Sequence, residues 1–240
     1  MLTLVGPYVN SAAIALGGLL GAFFGTRLPE RLRIAMPQTF GLASMALGIV
    51  MIVKVKALPA VVLALVVGAI IGELLSLEKI IGALSARTKG LVERVFPAPA
   101  GLSHDEFIEK FVAILVLFCA SGTGIFGAMN EGMTGDSQIL LVKSILDFFT
   151  SGIFATALGY AVATVWIPQL IIQLVLAYAA IYILPMTTPD MMADFSAVGG
   201  LIMLATGFRI CGIKPFPIVN MLPALVLAMP ISHLWTTWVL

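Results

Sequence analysis

Long apolar runs separated by short polar stretches set the pattern of this chain. Windows free of Asp, Glu, Lys and Arg cover 1–26, 34–53, 57–72, 111–130, 148–189 and 215–240. A helix needs roughly 20 apolar residues to cross a hydrocarbon layer of about 30 Å, and these windows recur at about that length. They predict eight spans: Pro7–Gly25, Ala35–Val53, Leu58–Ile80, Phe111–Met129, Ile139–Val165, Pro168–Leu184, Phe195–Gly212 and Phe216–Trp238. The window 148–189 is too long for one helix, and the Trp and Pro of VWIPQ at 165–169 mark the expected break. Pro7, Pro37, Pro59 and Pro168 each fall in the first turn of a span, where a missing N–H costs little.

Composition agrees with the pattern. Of 240 residues, 60% are hydrophobic and 10% charged, against roughly 25% charged in soluble domains. The expectation is an all-α, polytopic transmembrane bundle forming a single integral membrane domain over 1–240, with the lipid bilayer as its surroundings. The N-terminus has no basic stretch followed by a small-residue cleavage site, so no removable signal peptide is expected. A net charge of +1 suggests no nucleic-acid partner. Cys119 and Cys211 both lie in apolar helices and read as packing residues rather than a disulfide.

The basic residues orient the spans. Arg27, Arg31 and Arg33 fall in the first loop, Lys79, Arg87, Lys89, Arg94 and Lys110 in the third, and Arg209 and Lys214 in the seventh, ten of the thirteen Lys and Arg. Lys54 and Lys56 fall in an even loop, with acidic Glu131, Asp136, Asp190 and Asp194 on the same side. Odd loops are therefore expected in the cytoplasm and both termini in the periplasm. The longest cytoplasmic segment, 81–106, reads as an amphipathic surface helix over about 84–96, then a linker and a capping box at Ser103-His104-Asp105-Glu106. His104 reads as a solvated loop residue and His233, near Trp235 and Trp238, as an interfacial anchor.

GLASMALG at 41–48 and GLIMLATG at 200–207 share four of eight positions, each ahead of a short basic loop and a Pro-initiated helix. With opposite directions of crossing, they suggest an inverted repeat of spans 1–3 and 6–8 around a central pair.

Polar residues at membrane depth are costly and commonly functional. Lys143 and Asp147 are four apart and share a helix face, as a structural lock or as a coupling-ion or substrate site. Glu73 reads as a carboxylate near the cytoplasmic boundary. Asn10 and Asn220 can each hydrogen-bond a neighbouring helix. Pro223 frees a carbonyl near residue 219, so the last span is expected to be kinked there. Gly17, Gly21 and Gly25, with Gly18 beside them, read as a packing ridge. Gly122, Gly124, Gly127, Gly132 and Gly135 leave no such ridge, and glycine weakens a helix by up to ~1 kcal/mol. The fourth span is therefore expected to be interrupted through Gly122–Gly127, exposing backbone around Gly122, Thr123 and Gly124, with Asn130 and Glu131 at the outer mouth.

The N-terminal span with Asn10, FCASGTGIFGAMNEGMTGD, KSILDFFTSGIFATALG, VGGLIMLATG and IVNMLPAL together resemble the bacterial inner-membrane family called domain of unknown function 554. The resemblance covers essentially the whole chain and implies a multi-pass membrane protein with its substrate left open.

There is no HExxH, Walker loop or metal-spaced His/Cys set in the sequence, and neither histidine lies near Ser121. No enzyme, metal or cofactor is expected. The expected function is a secondary transporter or channel for a small ion or metabolite. Asp147, Lys143, Gly122, Thr123, Gly124, Asn130, Glu131, Asn220 and Asn10 form its candidate site, and a homo-oligomer is allowed. Asp147 with exposed carbonyls would favour a cation, and Lys143 with exposed helix N-termini a carboxylate-bearing anion; the combined charge of Asp147 and Glu131 leans this reading towards the cation. The alternative is a non-transporting membrane partner or sensor whose polar residues are interhelical locks and whose working surface is 84–106.

The orientation yields a first test. A cytoplasm-only reporter fused after Leu240 should be silent and a periplasm-only reporter active; the reverse pattern overturns the assignment.

Overall fold

The structure, a computed structural model, describes residues 4–24, 27, 29–87, 104–119 and 121–239. The described residues form helices and connecting turns and contain no strand. In chain order the α-helices are α1 (Gly6–Phe24), α2 (Glu30–Ile52), α3 (Leu58–Leu74), α4 (Leu77–Arg87), α5 (His104–Cys119), α6 (Gly122–Thr134), α7 (Gln138–Leu158), α8 (Trp166–Ile183), α9 (Pro189–Ile210), α10 (Ile218–Met221) and α11 (Pro223–Trp238). Most of the cytoplasmic segment expected at 81–106, including the helix at 84–96, lies outside the described residues.

Among the described residues, Gly6–Phe24, Gln138–Met186, Pro189–Ile210 and Ile218–Trp238 are long and apolar enough to cross a membrane. Leu58–Leu74 and Leu77–Ala83, bent by 49°, make a fifth segment if taken as one span, and Gln38–Ile52 is a shorter apolar helix. The 49-residue stretch Gln138–Met186 is not straight. Gly159 ends α7 at φ 66, ψ −155, a conformation open essentially to glycine alone. A 3-10 turn over Gly159–Val165 then leads into α8. The break expected at VWIPQ therefore lies earlier, because the φ that only Gly159 can supply decides the turn, while Pro168 sits inside the first turn of α8.

Two other interruptions were expected and differ in detail. The segment expected to be the fourth span holds two helices, α5 and α6, with Ser121 extended ahead of α6 at φ −68, ψ 126. Gly122 through Gly127 are themselves helical, which corrects the expectation of irregular backbone there. Tertiary contact overrides low propensity: a Cβ at Gly127 would sit 2.8 Å from Leu140 Cδ2, and one at Gly132 2.1 Å from the Ala177 carbonyl oxygen. At the other expected kink, Pro223 separates α10 from α11, and the Val219 carbonyl accepts from Leu222 N at 3.2 Å.

Close backbone approach joins the helices in pairs. Gly6 lies on Leu140, Gly17 on Phe148 and Gly21 on Gly152, so α1 and α7 run parallel. Gly124 lies beside Gln169 and Gln173 and Gly132 on Ala177, so α6 and α8 are also parallel. Gly41 faces Gly207 and Gly48 faces Gly200, making α2 and α9 antiparallel; Gly68 on Ala224 and Gly72 on Asn220 make α3 and α11 antiparallel as well. Gly18 on Ala163 and Asn10 on Gln169 set α8 against α1. Small residues allow these approaches where lipid supplies no hydrophobic drive between helices. The ridge at Gly17 and Gly21 therefore does what the sequence suggests, with Gly18 closing on the 3-10 turn.

The outside is apolar. Phe23, Ile70, Val175, Tyr182 and Val226 are exposed, whereas Asn10, Glu131, Asp147, Gln169, Gln173 and Asp194 are buried. This inverts the arrangement of a water-soluble fold. The helix α9 runs through the core, where Phe195 packs on Phe126 with ring centroids 5.1 Å apart.

The glycine pairs give a second test. A Cβ at Gly200 would lie 2.6 Å from the Gly48 carbonyl oxygen, so Gly200→Leu should destabilise by about 1–3 kcal/mol or more through overpacking. Gly82→Ala, in α4 with nothing within 4 Å of the new Cβ, should stabilise by about 0.5–1 kcal/mol. Thermal unfolding of both purified variants checks this; equal behaviour would refute the packing role.

Candidate functional site

Halfway along α7, Lys143 and Asp147 are buried, 3% and 7% exposed. One helical turn separates them, and the Lys143 ammonium pairs with Asp147 Oδ2. The same carboxylate oxygen accepts from Asn10 Nδ2 of α1 at 2.7 Å. Asn10 Oδ1 in turn accepts from Gln169 Nε2 at 3.0 Å and Gln173 Nε2 at 2.7 Å, both on α8. Three helices thus meet on one carboxylate through a chain of amides. The Lys143 Nζ also stands 5.7 Å from the Phe118 ring centroid, within reach of a cation–π attraction.

The network is not closed. Gln169 Oε1 and Gln173 Oε1 are buried and accept no hydrogen bond, a cost of about 1–3 kcal/mol each for a buried group left unmet. Gly124 makes room for Lys143: a Cβ there would sit 2.8 Å from Lys143 Cε. That is a use of this glycine different from backbone exposure.

A cavity of about 160 Å³ reaches the pair. Its polar lining is Ser44, Ser121, Thr123, Thr150 and Thr206 beside Lys143 and Asp147, and the rest is aromatic and aliphatic. Ser44 and Thr123 approach to 3.4 Å through their hydroxyls. A second cavity of about 520 Å³ shares Leu117, Ser121, Phe154, Thr206 and Ile210 with the first and extends to Lys110 and Arg209. The two adjoin at these shared residues, with Lys110 of α5 and Arg209 of α9 on the larger and the buried pair on the smaller. The first turn of α6 borders the inner one: Ser121 caps it, accepting from Gly124 N at 3.4 Å.

The sequence-derived candidates therefore separate. Asn10, Lys143, Asp147, Thr123 and Gly124 come together, with Gly122 opening α6 beside them. Glu131 is used elsewhere: Oε1 accepts from Val5 N at 2.7 Å and Gly6 N at 2.9 Å, binding the free N-terminus of α1. Asn130 ties the end of α6, donating to Thr134 Oγ1 at 3.4 Å and the Asp136 carbonyl at 3.3 Å. Asn220 joins the two bent spans, donating to Glu73 Oε2 at 2.5 Å and accepting from Glu78 N at 2.8 Å. Beside it Glu78 pairs with Arg209 at 2.5 Å, and Arg209 also donates to the Phe216 carbonyl.

Sequence reasoning passed over Gln169, Gln173 and Asp194. Asp194 caps α3, accepting from Lys56 N at 2.8 Å and Ala57 N at 2.9 Å on one oxygen and from Ser232 Oγ at 2.6 Å on the other. The glutamines carried a usable signal: they are four apart in an otherwise apolar span and share one face.

This chain belongs to the family described as "Protein of unknown function (DUF554)", whose model matches residues 5–233. It is similar to the uncharacterized protein YqgA of Escherichia coli (strain K12), 61% identical over 234 residues and 98% of each chain. It is also similar to the uncharacterized membrane protein YdfK of Bacillus subtilis (strain 168), 26% identical over 92% of this chain and 93% of that one. No solved structure matches the chain.

Two substitutions test the geometry. Asp147→Leu leaves Lys143 buried without its partner and should cost about 3–5 kcal/mol, most of it recovered in a Lys143→Met/Asp147→Leu double variant. Glu131→Ala strips the acceptor from the buried Gly6 amide and the half-buried Val5 amide and should cost about 1–3 kcal/mol. Unfolding midpoints of the purified variants decide both; an Asp147→Leu protein as stable as the parent would refute a buried ion pair.

Proposed function

We propose that this protein is a secondary transporter or channel carrying a small ion or metabolite across the bacterial inner membrane, with Lys143 and Asp147 as its central site. The observation that carries the reading is the cavity that reaches this pair, adjoining a larger one lined by Arg209 and Lys110. A purely structural lock needs no such access, and an intramembrane ion pair bordering a cavity is the common mark of a solute pathway.

Eight crossings with both termini periplasmic fit the packing. In an alternating chain, α1 and α7 should be parallel, as should α6 and α8, while α2 opposes α9 and α3 opposes α11; the contacts between glycines and their neighbours have these directions. The Glu78–Arg209 pair between α4 and α9, and the Lys56 amide donating to Asp194 at the other end of α9, accord with this arrangement. An inverted repeat of spans 1–3 and 6–8 draws support from GLASMALG and GLIMLATG, which pack on each other in opposite directions, Gly41 on Gly207 and Gly48 on Gly200. The printed description of the Bacillus relative as a membrane protein accords with this placement.

A second reading has its own observation. Glu131, Asp194 and Asn220 act as interhelical ties, as a non-transporting partner or sensor would require, and the chain could bind its partner as a homo-oligomer or through the 81–106 segment.

Uptake into proteoliposomes separates the two. The parent protein should accumulate at least one small inorganic ion or organic acid faster than empty liposomes. Asp147→Asn, of near-equal size, should lose that uptake while still reconstituting. A parent protein that is inactive across the screen, together with a fully stable apolar double variant, supports the partner reading.

A further inference from the structure

The charges around the pair limit what it can load. Lys143 and Asp147 sum to zero in surroundings of low polarity, and a solute that leaves a net charge there is costly. A cation entering alone leaves +1, and an anion entering alone leaves −1. Resting on the transport reading above, we infer that the site takes a short-chain monocarboxylate together with one proton. The solute carboxylate pairs with the Lys143 ammonium, and Asp147 takes up one proton from the aqueous phase, as hydronium delivered along the same route, to become a carboxylic acid. The ammonium, the bound carboxylate and the neutral acid again sum to zero.

Three features favour this over a cation exchanged for the Lys143 proton. First, the described residues lining the two cavities include Lys110, Arg209 and Lys143 but one acid only, Asp147. Glu131, the other carboxylate expected to draw a cation, is bound to the N-terminus of α1. Second, the 13-residue helix α6 begins at the inner cavity, where its free amides and positive end favour an anion. Ser44, Thr123 and Thr206 also line this cavity. Third, the size and the remaining lining suit an alkyl tail. About 160 Å³ is on the order of five water volumes of ~30 Å³, and Phe40, Leu117, Phe118, Leu146 and Phe154 face it.

The hydrogen-bond chain serves both protonation states. Asn10 now donates Nδ2 to the Asp147 carboxylate, and a turned amide presents Oδ1 to the acid instead. The groups facing the pair are Asn10 from α1, Ser44 from α2, Phe118 and Cys119 from α5, Thr123 from α6, and Gln169 and Gln173, reached through Asn10, from α8. Cys119 is the one titratable group among them, and Lys110 and Arg209, the latter paired with Glu78, are charged groups at the mouth.

The test uses the full chain in detergent with acetate, propionate and lactate as probes, against sodium and potassium chloride with choline chloride as reference. The parent protein should gain thermal stability with a carboxylate. Its apparent affinity should rise about tenfold for each unit the pH is lowered between 8 and 6, the signature of one proton taken up with each anion. A pH-indicator dye in weak buffer should record that proton. Asp147→Asn, which carries a permanent neutral mimic of the acid, should bind the same carboxylate more tightly, with no pH dependence and no proton uptake. The inference is overturned if none of the three carboxylates stabilises the parent, if their binding is independent of pH, or if sodium or potassium alone stabilises it. The parent measurements decide even where Asp147→Asn does not fold. Proteoliposomes then distinguish the two levels: carboxylate and proton binding without accumulation under an inward proton gradient defeats transport, whereas uptake of another solute without carboxylate binding defeats the substrate class alone.

Discussion

A carboxylate taken out of water must find hydrogen-bond donors, and this fold finds several of them at the open ends of helices. The first backbone amides of a helix have no partner within it. Glu131 on α6 supplies one for α1, and Asp194 on α9 supplies one for α3. Each contact does two things at once: it satisfies amides that apolar surroundings would leave bare, and it compensates a negative charge with a helix dipole. The register of four helices depends on these two side chains. The packing of glycine on backbone along α1 and α7 then continues from an end already held in place.

Asp147 is treated differently, and the difference marks it. It meets no helix terminus; its donors are a lysine and an amide side chain. Side chains can rearrange at a cost far below that of moving a helix end. Behind Asn10, the two glutamines keep acceptors with nothing to accept, in a bundle whose other buried carboxylates are well supplied with donors. Asp147 borders a cavity, whereas Glu131 and Asp194 hold the starts of helices.

The breaks in the spans serve this division. Ser121 starts a fresh helix after α5, so that the first turn of α6 borders the cavity. The bend after α3 and the Pro223 break sit together on Asn220, which ties both. Interrupted helices are tolerated at such depth because neighbouring protein covers the freed groups.

The sequence alone determined the helical class, the apolar character of the helices and the proline break between α10 and α11, because these follow from residue type and local spacing. It also marked Lys143 and Asp147 as partners, since a four-residue spacing places them on one face whatever surrounds the helix. It misjudged the glycines from Gly122 to Gly127, whose weak propensity suggested irregular backbone, and it placed the break near Gly159 too late. Only the tertiary structure decided that those glycines are helical and closely packed, that Glu131 holds the start of α1 some 125 residues earlier in the chain, and that Asn10 is the link between α7 and α8. Such contacts depend on which helices come to lie side by side, and in a chain where nearly every surface is apolar no local pattern distinguishes one neighbour from another.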